Sequence, residues 1–380
     1  MNAIDLATRM RDRGHDVRVY APPGELQSII AGRGLVYRAA PAFAGDSLRP
    51  RVVSAMAAEI RDFRPDIVHT YEASPSLVSA AVAARVPHRN VTTVMSMAVP
   101  DFIPDCVPLF VGTKGLLDGL PPRPGPVHLM EPPIDTAHDQ PGDVATARRS
   151  LGLRDSDFVI SVVGRLSREH QKARGVAAAI AELGSAIDAA GPAVLLVAGA
   201  GDDEQSVRDA AAAAVNTGLD VRLLGNVEDP RDVYDAADVV FGMGGSALRA
   251  LAHAKPLIVQ GADGFWRLLT PESAELFFET GFFGAGAAVV PFSTIIAALR
   301  DDADERARLA EYGRMLVEKR FSLDVAADQL ERVYRDTAEG GGGYPIRSVV
   351  GSLARYARFR VAMRAPAVRT AYRRVVGRHD

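Results

Sequence analysis

Residues 237–260, ADVVFGMGGSALRALAHAKPLIVQ, carry the pattern that decides the fold class. A short apolar run, Val239 to Phe241, meets Gly242, Gly244 and Gly245; a helix-forming segment, Ser246 to Ala252, follows, and then a second apolar run, Leu257 to Val259. That order is strand, loop, helix, strand, the repeating unit of a parallel α/β sheet. Ser246 is placed to cap the helix, the glycines let backbone approach a ligand, and the free N–H groups of a helix start favour an anion. A phosphate-bearing ligand is therefore expected at this loop. The bland alternative is that the glycines only permit tight strand-to-helix packing.

Working outward, the same alternation continues in both directions. Upstream come a strand at Phe158–Val163, a helix at Val176–Ala190, a strand at Val194–Ala198, a helix at Glu204–Val215 and a strand at Val221–Leu224. The N-terminal half repeats it, with helices at Arg51–Phe63 and Pro75–Ala84, strands at Ile67–Thr70 and Val91–Val94, and short apolar runs at 109–111 and 127–130. This half opens on a helix, Ala3–Met10, before a strand at Val17–Tyr20. A parallel sheet normally opens on a strand, so the first strand and its glycine-rich loop are expected to be missing here. Between the halves, EPPIDTAHDQPG at 131–142 has three prolines and no periodicity. The fold expected is α/β, two Rossmann-like doubly wound domains, with boundaries at 1–142 and 143–338 and a Gly-rich linker and basic tail at 339–380.

Composition narrows the class. The 380 residues are 48% apolar and 24% charged, enough to bury a core in each domain. Cys106 is the one cysteine, which excludes a disulfide framework and any multi-cysteine metal site and fits the cytoplasm. It lies in a proline-rich loop with no base partner, so it is not read as a nucleophile. No run approaches the roughly 18 apolar residues that span a bilayer, and the N-terminus lacks a secretory apolar region. Residues 341–380 hold nine arginines against one acid, Asp380. Val350, Leu353, Tyr356 and Val361 recur among them at helical spacing, which suits either an anionic membrane surface at the inner face or docking on the acidic body. No recognition motif for nucleic acid accompanies the charge.

Several residues could carry chemistry. Gly164 and Arg165 follow a strand directly, and Lys172 comes seven residues after Arg165, so two cations on a strand-end loop could neutralise a diphosphate; a surface loop is the alternative for Lys172, with Arg168, His170 and Arg174 crowding it. His69 closes the strand in PDIVHTY at the carboxyl edge, where it could act as a general base, a hydrogen-bond donor or a structural histidine. Gly199-Ala200-Gly201 is followed by Asp202 and Asp203, which would repel phosphate, so it reads as a helix-start turn. Asp155 and Asp157 precede a strand and read as a solvated turn rather than a metal site. Phe277, Phe278, Phe282 and Phe283 could wall an apolar acceptor but suit core packing better.

Taken in order, GRL with its following lysine, LLVAGAG, VRLLGNVEDPRDVYDAADVVF, LRALAHAKPLIV and RLAEYGRMLVEKRFSLDVAADQLERVY resemble the family 4 type of nucleotide-sugar-dependent glycosyltransferases, which have the GT-B fold. RMRDRGHDVRVYAP and PDIVHTYEASPSL add to the likeness, which covers about 14–338. The resemblance implies two domains facing across a cleft and a retaining transfer from a nucleoside-diphosphate sugar, with no cofactor and no metal at the chemical step. The acceptor implied is a glycan or a lipid-linked sugar. On that reading Arg165 and Lys172 clamp the diphosphate, Gly244, Gly245 and Ser246 line the donor phosphate and sugar, and Asn226 and Val227 meet the nucleobase. The family usually has a glutamate at the positions of Phe241 and Arg249, and a histidine where Met95 stands. Arg249 is expected either to add a second phosphate contact or to pair with an acid. A catalytically inactive GT-B domain serving as a binding partner in polysaccharide assembly is the alternative function. An epimerase or phosphorylase has less support, since no lysine is placed for a cofactor Schiff base.

Overall fold

The computed structural model describes residues 2–42, 48–168, 171–186, 192–284, 286, 288–340, 344–365 and 368; His170 and tail residues 369–380 lie outside them. Two units, Met1–Pro133 with Leu323–Asp380 and Ile134–Ser322, each collect their own strands.

In the first unit the order is α1 (Asn2–Asp12), β1 (Arg18–Ala21), α2 (Gln27–Gly32), β2 (Val36–Ala39), α3 (Pro50–Phe63), β3 (Val68–Tyr71), α4 (Ala73–Ala83), β4 (Asn90–Val94), β5 (Leu109–Val111), α5 (Lys114–Gly119) and β6 (Val127–Leu129). Its strands form two separate parallel sheets, β1-β2 and β3-β4-β5-β6. A doubly wound sheet would join the two pieces through one more strand, and none of the described residues supplies it.

The second unit runs α6 (Val144–Ser150), β7 (Val159–Val163), α7 (Lys172–Ser185), β8 (Ala193–Ala198), α8 (Glu204–Ala213), β9 (Leu219–Gly225), α9 (Arg231–Asp235), β10 (Val239–Gly242), α10 (Gly245–Ala252), β11 (Leu257–Gln260), β12 (Trp266–Leu268), α11 (Ala274–Thr280), α12 (Phe292–Asp301) and α13 (Ala303–Leu316). Its six strands lie in the order β12-β11-β10-β7-β8-β9, parallel except for the edge strand β12. Strands β7, β8 and β10 are almost wholly apolar because helices cover both faces, giving two core clusters. The chain leaves β7 toward β8 and β9 on one side, then returns to lay β10 on the other. The switch point of this sheet is therefore between β7 and β10, where open α/β sheets place their ligands.

Two helices correct the expected boundaries. Helix α14 (Leu323–Glu339) buries Leu323, Ala326, Ala327, Leu330 and Val333 against Leu6 and Met10 of α1, so 323–338 packs in the first unit rather than with the donor-side residues. The division falls at 133/134, because Ile134 already bridges to Ser322 within the second unit. The tail is no free appendage either. Helix α15 (Ile346–Ala362) sets Tyr356 into the cluster of Phe102, Ile103, Leu109 and Leu77.

Candidate functional site

Strands β7 and β10 are neighbours, so the loops that leave their carboxyl ends meet. A Cβ placed on Gly164, after β7, would lie 3.9 Å from Ser246 Oγ, after β10. A third loop closes over them, since side chains at Gly199 and Gly201 would overlap the carbonyl oxygens of Gly164 and Leu166. These glycines bring the ends of β7 and β8 into backbone contact at the turn that leads into α8. The structure thus gathers Gly164, Arg165, Gly244, Gly245 and Ser246 at one sheet edge.

Helix α10 begins one residue earlier than expected, and Ser246 is not its cap. Gly244 takes the cap position with φ 56°, a left-handed value that suits glycine, and a Cβ there would come 2.9 Å from the Phe283 ring. The Ser246 hydroxyl donates to the Met243 carbonyl at 3.0 Å instead, fastening the turn from inside. Among the described residues no side-chain oxygen caps this helix start, and a Cβ at Gly245 would meet nothing within 4 Å. The first N–H groups of α10 are in this way left for a ligand to satisfy.

Arg165 is exposed, and its side chain makes no ion pair among the described residues. Lys172 is half-buried and opens α7 directly after Gln171, which has φ 55°. Its carbonyl accepts a 2.9 Å bond from the buried Gln260 amide at the end of β11, and Gly175 leaves the room that this amide fills. Gln260 was not foreseen, because a polar residue ending an apolar strand gives no sign of its partner. Asn226 is exposed beyond β9, while Val227 packs on the core, so of these two Asn226 is the one exposed on that loop.

Phe241 has no path to a ligand. It is fully buried, edge-on to Trp266 at 5.8 Å and to Phe292 at 5.2 Å. Arg249 takes the second of its two expected options, since its Nε lies 3.3 Å from the Asp139 carboxylate. Asp139 is also 3.9 Å from Nε2 of the buried His253, whose Nδ1 binds Asp235 at 2.8 Å and whose ring stacks on Tyr234. Burial works against charge on His253, but the Asp139 and Asp235 carboxylates outweigh it and hold its pKa above the ordinary value. Burial likewise opposes charge on Asp139, yet His253, Arg249 and His138 keep its pKa low. Nothing in the sequence pattern links residues 139, 235 and 253.

His69 sits in the other unit as a structural residue. One ring nitrogen is 2.6 Å from the Tyr334 hydroxyl and the other 2.7 Å from Thr93 Oγ1, while Tyr71 stacks on the ring at 4.5 Å. Desolvation pushes its pKa down to about 3. With both nitrogens engaged and so little basicity, it is no general base. Met95 lies just past β4, its N–H donating to Glu72 at 2.9 Å. The phenylalanines divide: Phe277, Phe278 and Phe282 are buried in the core, and half-buried Phe283 covers Gly244.

Comparison with known proteins fits this geometry. The family model Glycosyltransferase Family 4 matches residues 2–97, and Glycosyl transferases group 1 matches residues 157–290. Both matched models describe glycosyltransferase families, one on each unit of the chain. A glycosyltransferase structure from Rickettsia africae shares the fold of this chain with a TM-score of 0.71 at 14% identity, covering 90% of this chain and 95% of that one. Anabaena HepE, solved with UDP, has a TM-score of 0.67 at 15% identity, with 88% and 95% covered. The fold is thus GT-B, built of two Rossmann-like units. Among curated relatives, a GDP-mannose-dependent monoacylated alpha-(1-6)-phosphatidylinositol monomannoside mannosyltransferase of Corynebacterium glutamicum is 27% identical over 208 residues, 51% of each chain. A D-inositol 3-phosphate glycosyltransferase of Catenulispora acidiphila is 28% identical over 236 residues, 58% of this chain and 54% of its own. The chain spans about half the length of the curated relatives it matches.

Proposed function

We propose that this chain transfers a sugar from a nucleoside-diphosphate sugar to a lipid-linked or cell-surface glycan acceptor, with retention at the anomeric carbon. The observation that carries the reading is the switch point of the second unit, where exposed Arg165 and the uncapped start of α10 meet across Gly164 and Ser246. Negative charge develops on the diphosphate as the sugar departs. Arg165, Lys172 and the first N–H groups of α10 stabilise that charge, so no metal ion is needed at the chemical step. Asn226 offers a polar group to the base. The mannosyltransferase and inositol phosphate glycosyltransferase names of the relatives support a phosphorylated or lipid-borne acceptor, and the UDP bound to HepE supports a nucleotide donor. Among the described residues no helix is long and apolar enough to cross a membrane, and work at the inner membrane face is part of the proposal. Titration with a panel of nucleoside diphosphates, followed by transfer assays with and without EDTA, tests it. Micromolar binding and chelator-insensitive transfer are expected. A folded sample that binds no nucleotide would overturn the donor site.

One observation favours a second reading, a GT-B binding module without turnover. Phe241 is sealed in the core and Arg249 is tied to Asp139, so neither presents a carboxylate to a donor sugar. Nucleotide binding without transfer or donor hydrolysis on any acceptor extract would select this reading.

A further inference from the structure

Helix α15 has two apolar faces, and only one of them is used. The inward face carries Val349, Ser352 and Tyr356, all buried, with Phe359 5.1 Å from Phe102. Arg355 on this side reaches Asp105 at 3.7 Å. The four apolar residues that the sequence presents as one stripe therefore divide, with Leu353 and Tyr356 turned in and Val350 and Val361 turned out. At about 100° per residue, Ile346, Val350, Ala354, Ala357 and Val361 fall on one outward strip. Ile346 is 77% exposed, Val350 59% and Val361 64%. Arg347 and Arg358 flank this strip on one side, and Arg364 follows it; all three are exposed and have no acidic partner among the described residues. No acidic residue occurs between 341 and 379.

We infer that the outer face of α15 lies on the surface of an anionic phospholipid bilayer. An apolar strip of this kind, bordered by arginines and free of acids, buries its valines and isoleucine at the acyl boundary while the guanidinium groups meet lipid phosphates. Because the opposite face is anchored in the first unit, the helix is already folded and lies flat, and no ordering penalty opposes binding. Charge selects the partner: an acidic protein would satisfy the arginines, but an exposed strip without a groove or an aromatic anchor does not fit a specific protein interface. A single helix of this size gives weak, reversible attachment, strongest where anionic lipid is abundant. The inference rests on the membrane-face location included in the proposed function and deepens it, while it uses no residue of the donor site.

Sedimentation of the full chain with vesicles of phosphatidylcholine and phosphatidylglycerol at about two to one, against phosphatidylcholine alone, tests it. Binding to the anionic vesicles is expected, falling as salt rises to about 0.5 M and the screening length shrinks to about 4 Å. Replacing Arg347→Gln, Arg358→Gln and Arg364→Gln together should lower the partition on the order of 100-fold, since each arginine near an anionic surface contributes about fivefold. Val350→Glu with Val361→Glu should abolish it with an unchanged melting curve, because both side chains are exposed. Equal binding by parent and variants, equal binding to both vesicle types, or no binding by the parent would each overturn the inference. So would a dimer in light scattering that Val350→Glu dissociates, since the strip would then belong to a second copy. Nucleotide titration of the same samples reports the donor site separately.

Discussion

Arg249 Nε lies 3.3 Å from Asp139 Oδ2, and the same carboxylate faces the buried His253. The Arg249 side chain is 39% exposed, whereas that of Asp139 is 10% exposed. The two ends of this pair are therefore unequal. Removing the exposed guanidinium loses little, as for a surface ion pair, but removing the carboxylate leaves a histidine buried with one acid fewer. Arg249→Gln should destabilise by under about 1 kcal/mol and Asp139→Asn by about 2 kcal/mol or more. Chemical denaturation of both variants and the double variant measures the difference; equal losses would show that His253 does not draw on Asp139.

The donor loop makes a prediction of opposite kind. Arg165 is exposed and its side chain makes no ion pair among the described residues, so Arg165→Gln should leave the melting temperature alone while weakening nucleoside-diphosphate binding about tenfold, the loss of one charge-assisted contact. Gly244→Ala should affect both properties, because φ is 56° and the Phe283 ring blocks a Cβ. Calorimetric titration beside a thermal melt separates the two outcomes. A stable Gly244→Ala protein with full affinity would mean that the loop is not pinned by Phe283.

Much of this arrangement was legible in the sequence, and the physical reason is periodicity. Buried parallel strands such as VLLVA and amphipathic helices announce themselves locally, and the glycines of 237–260 mark where backbone must approach backbone. What stayed hidden depends on long-range partners. The assignment of α14 to the first unit rests on its packing against α1, more than 300 residues earlier in the chain, as the Arg13–Asp328 pair shows. Ser246 reads as a helix cap until Gly244 is seen to occupy that position. His69 reads as a base until Tyr334 and Thr93 are seen to take both its nitrogens.

Glu72 is a residue with no sequence signal at all. Its φ of 71° is unfavourable for a side chain, yet its carboxylate accepts from the Met95 and Ser96 amides and the Ser96 hydroxyl at 2.8 to 3.1 Å. Those bonds fix the turn after β4 at the carboxyl edge of the first unit's sheet. Glu72→Gln keeps the length but weakens three charge-assisted bonds, and a loss of about 1–3 kcal/mol is expected. A Glu72→Gly protein tests the strain directly: relief of the backbone should recover part of the loss seen in Glu72→Ala. Equal stability of the glycine and alanine forms would show that the positive φ costs nothing.

The His69 environment sets a pH dependence with a definite sign. Its pKa falls from about 6.5 in the unfolded chain to about 3 in the fold, because desolvation penalises the imidazolium. The unfolded chain therefore binds the extra proton first as pH drops. The stabilising contribution of neutral His69 is complete above about pH 6.5 and is lost as pH falls toward 3, at up to about 1.4 kcal/mol per pH unit. His69→Gln keeps a donor and an acceptor for Tyr334 and Thr93 but cannot titrate. The parent should be the more stable protein at pH 7.5, and the gap should close by about 1 kcal/mol by pH 5.5. Urea unfolding of both proteins at the two pH values reads this directly. Parallel stability curves would show that His69 is hydrated in the native state and that its hydrogen bonds to Tyr334 and Thr93 do not keep it neutral.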